Sequence, residues 1–413
     1  MKICVLGLGY IGLPTALLLA NAGNEVVGVD INDKIVEKLN HDKIPFEELG
    51  LIELFENAGE RFQPQGKVES ADVFLIAVPT PLDPSIHTAE LRPVKSAAES
   101  IIAHLSKNNL VILESTVPPG TSEKLLLPTL EKSGIKAGEF YLAHSPERAI
   151  PGNTIYEMIH NHRVIGGYDK KSAEMTKSVY ESFVEGKMHL TNLDTAEFVK
   201  LMENTFRDIN IALANEFAQI GEENNINVWD AIDLANKHPR VDILKPGPGV
   251  GGHCIAIDPW FLASTARNSK MINLAREINN SMPNFVLRMV REMTEHIKSP
   301  VITAFGVAYK GNVDDTRETP ALKFIKLAEN RGYKVKCYDP HVKHFEYELF
   351  DLDEAVKDSD CIVIIADHRT FKHIDPKKLK MRNKNVVDTR NIINHDKWKD
   401  AGFNVKLLGC GKC

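Results

Sequence analysis

Cysteine is scarce in this chain. Six cysteines in 413 residues, without close regular spacing, make no disulfide framework. The expectation is a reducing compartment and a cytoplasmic protein. Positive charge is not in excess either: Lys plus Arg is 50, Asp plus Glu is 56, and the formal net charge is −6. Nucleic-acid binding usually leaves a basic footprint, so DNA or RNA is not expected as the main partner. Low-complexity segments and short repeats are missing. With 43% hydrophobic and 26% charged residues, disorder as a global state is excluded. An unbroken apolar run of membrane length is missing too. From Ile3 to Asn24 no residue is charged, which imitates a span or a signal peptide. Gly7, Gly9, Gly12 and Pro14 interrupt that stretch, and Glu25-Val26-Val27-Gly28-Val29-Asp30 follows at once. The pattern is strand, glycine turn, helix, strand, so no membrane association is expected.

What is there is an α/β rhythm. Lys2 to Leu6, Glu25 to Asp30, Val73 to Pro79, Leu110 to Ser115 and Phe140 to Ala143 read as buried strands. Helical patterns such as Leu13 to Ala22 and Pro93 to Leu105 lie between them, which predicts a parallel sheet with helices on both faces. From about Asn192 strands disappear. Glu197 to Glu223 reads as a long amphipathic helix whose apolar face is Phe198, Leu201, Met202, Phe206, Ile209, Leu213, Phe217 and Ile220. A Pro/Gly-rich loop follows, Pro246 to Gly252, and then a helix through Leu274 to Asn280. From about Pro300 the rhythm returns, with strands at Val301 to Phe305, Lys334 to Tyr338, Cys361 to Ala366 and Val386 to Asp388. Val26 to Asp30 echoes Val335 to Asp339, and Asp72 to Pro79 echoes Asp360 to Asp367. The fold class is therefore α/β: two Rossmann-like doubly wound domains, 1–191 and 300–413, joined by a helical central domain, 192–299.

Gly7-x-Gly9-x-x-Gly12 sits between a strand and a helix. The first glycine permits the turn, the second admits a pyrophosphate, and the third lets the helix pack close. The helix N-terminus stabilises phosphate charge. Asp30 ends the next strand, 18 residues after Gly12, where an acid binds ribose hydroxyls and repels a 2′-phosphate. NAD is the expected cofactor. Thr80 in Val78-Pro79-Thr80-Pro81 and Thr116 in Ser115-Thr116-Val117-Pro118-Pro119-Gly120-Thr121 follow apolar strands, where ligands lie in open sheets; they equally suit turns or helix caps.

In Pro246-Gly-Pro-Gly-Val-Gly-Gly252-His253-Cys254, four glycines precede a thiol. The arrangement suits backbone packed against a ligand that the thiol attacks, although a buried structural cysteine is the commoner use. A nearby positive charge, such as an oxidised nicotinamide, would favour the thiolate. Asp258 follows four residues on. Lys200, Asn204 and Arg207 share one face of the long helix, a pattern also found on solvated surfaces. Glu147 in His144-Ser145-Pro146-Glu147-Arg148 is a candidate acid or base. Cys410 and Cys413 have half the spacing of a zinc knuckle; without a second half they read as an ordinary tail, and no metal is expected.

In order along the chain, GLGYIGLP, VPTP, STVPPGT, HSPER, EFVKLMENTFRDINIALANE, PGPGVGGHCIAIDPWF and AYKGNVDDTRETPAL closely resemble the UDP-glucose/UDP-N-acetylmannosamine dehydrogenase family over nearly the whole length. The resemblance implies oxidation of a UDP-sugar C6 alcohol to a carboxylate with two NAD. It implies Cys254 as nucleophile, passing through a thiohemiacetal and a thioester. Lys200 would exchange protons or stabilise oxyanions, Asn204 and Asp258 would orient the reacting groups or water, and Glu147 would serve thioester hydrolysis. Tyr10, Ile11, Asp30, Thr80, Thr116 and Arg317 map to cofactor contacts, with Gly7, Gly9 and Gly12. Arg148, Ala149, Lys200, Asn204, Arg207, His238, Arg240, Gly251, Tyr309 and Lys310 map to UDP-sugar contacts. A homodimer is implied, possibly a dimer of dimers, with Arg240 reaching the neighbouring subunit's site. The Gly-Gly-His-Cys-Ile-Ala-Ile-Asp-Pro-Trp run looks like the N-acetylhexosamine branch. UDP-N-acetyl-D-mannosamine is then the expected substrate and UDP-N-acetylglucosamine the runner-up, with the acid destined for a surface polysaccharide. Competing readings are a two-electron hydroxyacid dehydrogenase and a silent nucleotide-sugar sensor. The second α/β half and Cys254 count against the former. Cys254, Lys200 and Asp258 together count against the latter.

Overall fold

The computed structural model describes residues 1–411. By compactness they fall into two units. One is Met1–Glu203 with Trp260–Arg267; the other is Asn204–Pro259 with Asn268 onward.

The first unit holds an eight-stranded sheet. Its strands are β1 (Lys2–Leu6), β2 (Glu25–Val29), β3 (Phe62–Gln65), β4 (Val73–Ile76), β7 (Leu110–Leu113), β8 (Tyr141–His144), β9 (Arg163–Gly167) and β10 (Met188–Asn192). A short hairpin, β5 (Leu82–Asp83) and β6 (Thr88–Ala89), lies outside it. The order across the sheet is β3-β2-β1-β4-β7-β8-β9-β10. Strand order reverses at β1, with β2 and β3 on one side and β4 and β7 on the other, so β1 and β4 flank the switch point where ligands of such sheets bind. The strands are apolar because both faces are covered. Ile3, Val5, Leu75 and Ile112 pack into one core, and Cys4, Leu6, Phe74 and Val111 into the other. The five strands expected there pair in parallel; the sheet extends beyond them, with β9 antiparallel to β8 and β10 parallel to β9.

The second unit holds a five-stranded parallel sheet of β11 (Val301–Phe305), β12 (Lys334–Tyr338), β13 (Cys361–Ile364), β14 (Asn385–Asp388) and β15 (Asn404–Leu407), ordered β12-β11-β13-β14-β15. The expected helix over Leu274 to Asn280 is too short; it spans Lys270–Thr294 and continues through Pro283. Met282, Phe285, Val286, Met289 and Val290 from it join the core under the sheet. That burial outweighs the hydrogen bond which proline cannot make.

The long helix is Leu193–Glu223. Its apolar stripe is not a core face. Leu201 is buried, but Phe198, Met202, Phe206, Leu213 and Ile220 are exposed, Phe206 by 65%. The face buried within the second unit is instead small and polar: Thr205, Asp208, Ala212, Asn215 and Ala218. Cys410 is buried in the core of the second unit, and Cys413 lies outside the described residues. Among the described residues no helix is long and apolar enough to cross a membrane.

Candidate active site

In the first unit the glycine turn closes on backbone. Gly7 has φ +95°, a conformation that suits glycine, and a Cβ there would stand 2.6 Å from the Ala77 carbonyl oxygen. A Cβ on Gly12 would stand 1.8 Å from the Gly7 carbonyl oxygen. Both glycines are demanded by the chain's own packing. Gly9 is different: a Cβ there would meet nothing within 4 Å. Packing does not require glycine at that point, whereas close approach of a pyrophosphate to the backbone does. Asp30 is fixed at the end of β2, where Oδ2 accepts from Leu8 N (2.8 Å) and Oδ1 from Asn32 N (2.8 Å). Tyr10 stacks on Phe46 with ring centroids 4.3 Å apart. The loops after β4 and β7 are tied together where Thr80 Oγ1 donates to the Thr116 carbonyl (2.7 Å) and Ser115 Oγ to that of Val78 (2.7 Å). Gly7, Gly9, Gly12, Asp30, Thr80 and Thr116 thus suit an NAD cradle at the switch point.

Lys200 on the long helix is buried. Three residues earlier, buried Glu197 accepts from Gly120 N (2.6 Å) and Ser122 N (2.8 Å), so the helix anchors the loop after β7. Burial pushes the Glu197 carboxyl up, against those hydrogen bonds. Glu147 Oε1 accepts from Arg148 N (2.6 Å) and Ala149 N (2.8 Å), and Oε2 accepts from Arg163 Nη2 (2.6 Å). Arg148 is turned onto Glu203 (Nε–Oε2 3.0 Å, Nη2–Oε1 2.5 Å) and onto the His162 carbonyl (2.7 Å).

In the second unit, Cys254 is exposed at the end of its glycine loop. Its carbonyl accepts from Ile257 N (3.0 Å) and Asp258 N (2.8 Å), a turn that starts the helix Asp258–Thr265. Asn204 Nδ2 donates to Asp258 Oδ2 at 2.6 Å, so two expected site residues meet. The loop before Cys254 is pinned at several points. Gly247 N donates to Asn215 Oδ1 (2.8 Å), and Asn215 Nδ2 to Asn279 Oδ1 (2.8 Å). Asn279 Nδ2 donates to Asp208 Oδ1 (2.7 Å), which also takes Arg276 Nη1 (2.6 Å). Pro283 cannot donate to the Asn279 carbonyl four residues back, and Gly249 packs there: its Cβ would lie 3.2 Å from that oxygen. Gly251 and Gly252 lie on Tyr309, whose ring a Cβ on Gly252 would approach to 2.8 Å.

Burial pushes the Tyr309 hydroxyl up to about 12, with Asp315 and Cys254 adding and Arg317 and Arg207 opposing. Tyr309, Cys254, Arg207 and Arg317 therefore share one electrostatic neighbourhood. Arg317 itself forks onto Asp315 (Nε–Oδ1 2.9 Å, Nη2–Oδ2 2.6 Å), and its carbonyl accepts from Gly252 N (3.0 Å). Lys310, His238 and Arg240 are exposed, and Arg240 N donates to His238 Nδ1 at 3.4 Å. Glu197, Arg163, Asn215 and Asp315 escaped the sequence reading. No local pattern sets these four apart from the other polar residues of the chain, and only the contact each makes marks it. Among the described residues no group of three or more His, Cys, Asp or Glu could hold a metal ion.

The fold and this geometry define an NAD-binding dehydrogenase, and comparison with known proteins agrees. The NAD binding domain of the UDP-glucose/GDP-mannose dehydrogenase family matches residues 1–184, its central domain 194–281, and its UDP binding domain 303–395. The chain belongs to this family. It is 50% identical to the UDP-N-acetyl-D-mannosamine dehydrogenase of Methanococcus vannielii, over 99% of this chain and 97% of that one. A solved structure of the Pyrococcus horikoshii UDP-D-ManNAc dehydrogenase superposes with TM-score 0.94 at 41% identity, covering all of both chains. The Staphylococcus aureus UDP-N-acetyl-mannosamine dehydrogenase structure gives 0.90 at 42% identity, over 99% of this chain and 98% of that one.

Proposed function

We propose that the protein oxidises the C6 alcohol of UDP-N-acetyl-D-mannosamine to the uronate, in four electrons, through Cys254. The observation that carries this is Cys254 itself: an exposed thiol on a loop pinned by Asn215 and Tyr309, one turn ahead of an Asp258 already clasped by Asn204. The names of the full-length relatives support the sugar. Bound NAD supplies the hydride acceptor, once for each two-electron step. Cys254 Sγ adds to the C6 aldehyde, so the carbon becomes a thiohemiacetal that can lose a second hydride and leave a thioester. Asn204 and Asp258 orient water and the reacting groups, and Lys200 exchanges protons with the C6 oxygen. Glu147 takes a proton from the water that attacks the thioester carbon; the C–S bond breaks and the thiolate leaves. Arg207, Tyr309 and the His238–Arg240 loop hold the UDP-sugar. Covalent capture keeps a reactive aldehyde in place while the cofactor is exchanged.

The same reading includes a cytoplasmic homodimer. The exposed stripe of the long helix, Phe206, Leu213 and Ile220 among it, gives two copies an apolar face to bury. A UDP-sugar panel with NAD and NADP, read by absorbance and product mass, tests the function. Two NADH per UDP-N-acetylmannosamine, with its uronate as product, is expected. One NADH per sugar would remove the four-electron chemistry, and preference for the C2 epimer would move the substrate to UDP-N-acetylglucosamine.

A further inference from the structure

A buried charge cluster in the first unit is not accounted for by the chemistry above. Arg163 opens β9 and is 4% exposed, so its guanidinium has little water to solvate it. Nη2 donates to Glu147 Oε2 (2.6 Å), and Nη1 to Glu114 Oε1 (3.1 Å) and Ser145 Oγ (3.4 Å). Its Cζ lies over the Tyr180 ring, 4.1 Å from the centroid. Glu114, at the end of β7, also accepts from Tyr180 Oη (3.0 Å) and, through Oε2, from Thr15 Oγ1 (3.0 Å). Thr15 sits on the helix Gly12–Asn21 that follows the glycine turn. One cation thus serves two buried carboxylates, and five elements contribute to the cluster.

Burying charge is costly unless every partner is in place, so such a cluster needs a reason. A structural anchor for Arg163 needs one carboxylate; a second, shared one makes the grip on the first depend on its charge. We propose that Arg163 positions the Glu147 carboxylate for thioester hydrolysis and that Glu114, sharing the same guanidinium, sets how strongly it is held. The proposal rests on the role given to Glu147 above.

Burial pushes Glu114 up to about 7; Arg163 opposes, Glu147 adds, and Tyr180 and Thr15 oppose. The groups that face it are Thr15 from the glycine-turn helix, Arg163 from β9 and Tyr180 from the helix Lys170–Tyr180, with Glu147 and Ser145 of the loop after β8 on the same guanidinium. His144 on β8 pairs with Leu113, so it points to the other face of the sheet from Glu114. Burial pushes His144 down to about 3, so it is uncharged at neutral pH. Below pH 7 a protonated Glu114 leaves Arg163 to Glu147. Above pH 7 the two carboxylates share it, so its hold on Glu147 loosens and Glu147 is freer to turn to the attacking water.

The test follows the covalent adduct in the full-length enzyme with UDP-N-acetylmannosamine and NAD, by acid quench and intact mass, across pH 5.5 to 8.5 (roughly a unit and a half either side of neutrality). Adduct decay in the wild type is expected to quicken as pH rises through about 7. Glu114→Gln should lose that rise and stay at the low-pH rate. Arg163→Lys, which keeps a charge but loses the fork, should slow decay about a hundredfold, with the first NADH burst retained. Glu147→Gln run beside them separates the two ideas. Normal decay in Glu147→Gln would overturn the role of Glu147. Accumulated adduct in Glu147→Gln with wild-type decay in Arg163→Lys, or an unmoved pH inflection in Glu114→Gln, would overturn the positioning role and leave Glu147 standing.

Discussion

The two α/β halves begin alike and end in different uses. In each, an aspartate just before a strand that pairs with the first (β4 with β1, β13 with β11) caps the first: Asp72 Oδ2 accepts from Lys2 N (2.9 Å), and Asp360 Oδ2 from Val301 N (2.8 Å). In each, a glycine at positive φ follows β1 or β11, Gly7 or Gly306, and its N–H bonds the carbonyl of Val29 or Tyr338. In each, an aspartate ends the next strand. Asp30 holds two backbone N–H groups and is only half-buried. Asp339 holds four, from Val307, Ala308, His341 and Val342, and also meets His368 Nε2 at 2.9 Å. Burial would raise Asp339, yet the His368 and backbone hydrogen bonds hold it below the usual carboxylate range. The acid that can read a ribose in the first half is fully occupied by protein in the second. One supersecondary unit serves as a cofactor cradle or as a structural joint, according to whether its acid keeps acceptor capacity.

The sharpest way to break this comparison is to remove the chemistry of one half alone. Cys254→Ser should lower acid production by at least about a thousandfold, since an alcohol is a far weaker nucleophile. NAD affinity by calorimetry should stay at the wild-type value. Next, Asp339→Ala should cost about 3 kcal/mol or more in urea unfolding, because buried donors lose their acceptor. Asp30→Ala should change stability much less while weakening NAD about ten- to hundredfold, the worth of charged hydrogen bonds. Similar NAD losses in both variants would erase the distinction between the halves. Within the glycine turn the contrast sharpens further. Gly12→Ala should lower the melting temperature, since its Cβ would overlap the Gly7 carbonyl. Gly9→Ala should keep the wild-type melting temperature and lose NAD affinity.

The smallest effect concerns pH. Asp339 is depressed in the folded chain, so its stabilisation is present above the unfolded value near 3.8 and is lost as pH falls through the lower folded value. Glu114 is raised from 4.5 to about 7, so the folded state binds its proton more tightly and stability falls as pH rises across that window. Glu114→Gln should therefore gain thermal stability relative to wild type as pH passes from 5 to 8. A constant difference across that range would contradict the buried, titrating Glu114.

Much of this fold was legible because buried parallel strands are apolar runs. The expected bounds of Lys2–Leu6, Val301–Phe305 and Lys334–Tyr338 are those observed. The strands that escaped carry weaker signals. In β10, His189, Thr191 and Asn192 break the run and much of the strand is exposed. The long helix misled in another way. Its large apolar side chains point outward and its small ones inward, and periodicity alone cannot say which face a neighbour covers. In the site, glycine spacing and Asp30 carried a mechanism in the sequence itself. The partners that fix the site, Arg163 for Glu147 and Asn215 for Gly247, lie 16 and 32 residues away in the chain. No local pattern joins such pairs, because only the folded sheet and helix bring them within hydrogen-bonding reach.

The central claim is that Cys254 carries the sugar carbon between the two oxidations. Peptide mapping of Glu147→Gln, quenched in acid during turnover with UDP-N-acetylmannosamine and NAD, tests it most directly. The account predicts an acyl adduct on the peptide containing Cys254, with two NADH formed per adduct. An unmodified Cys254 peptide alongside continued acid production would contradict it.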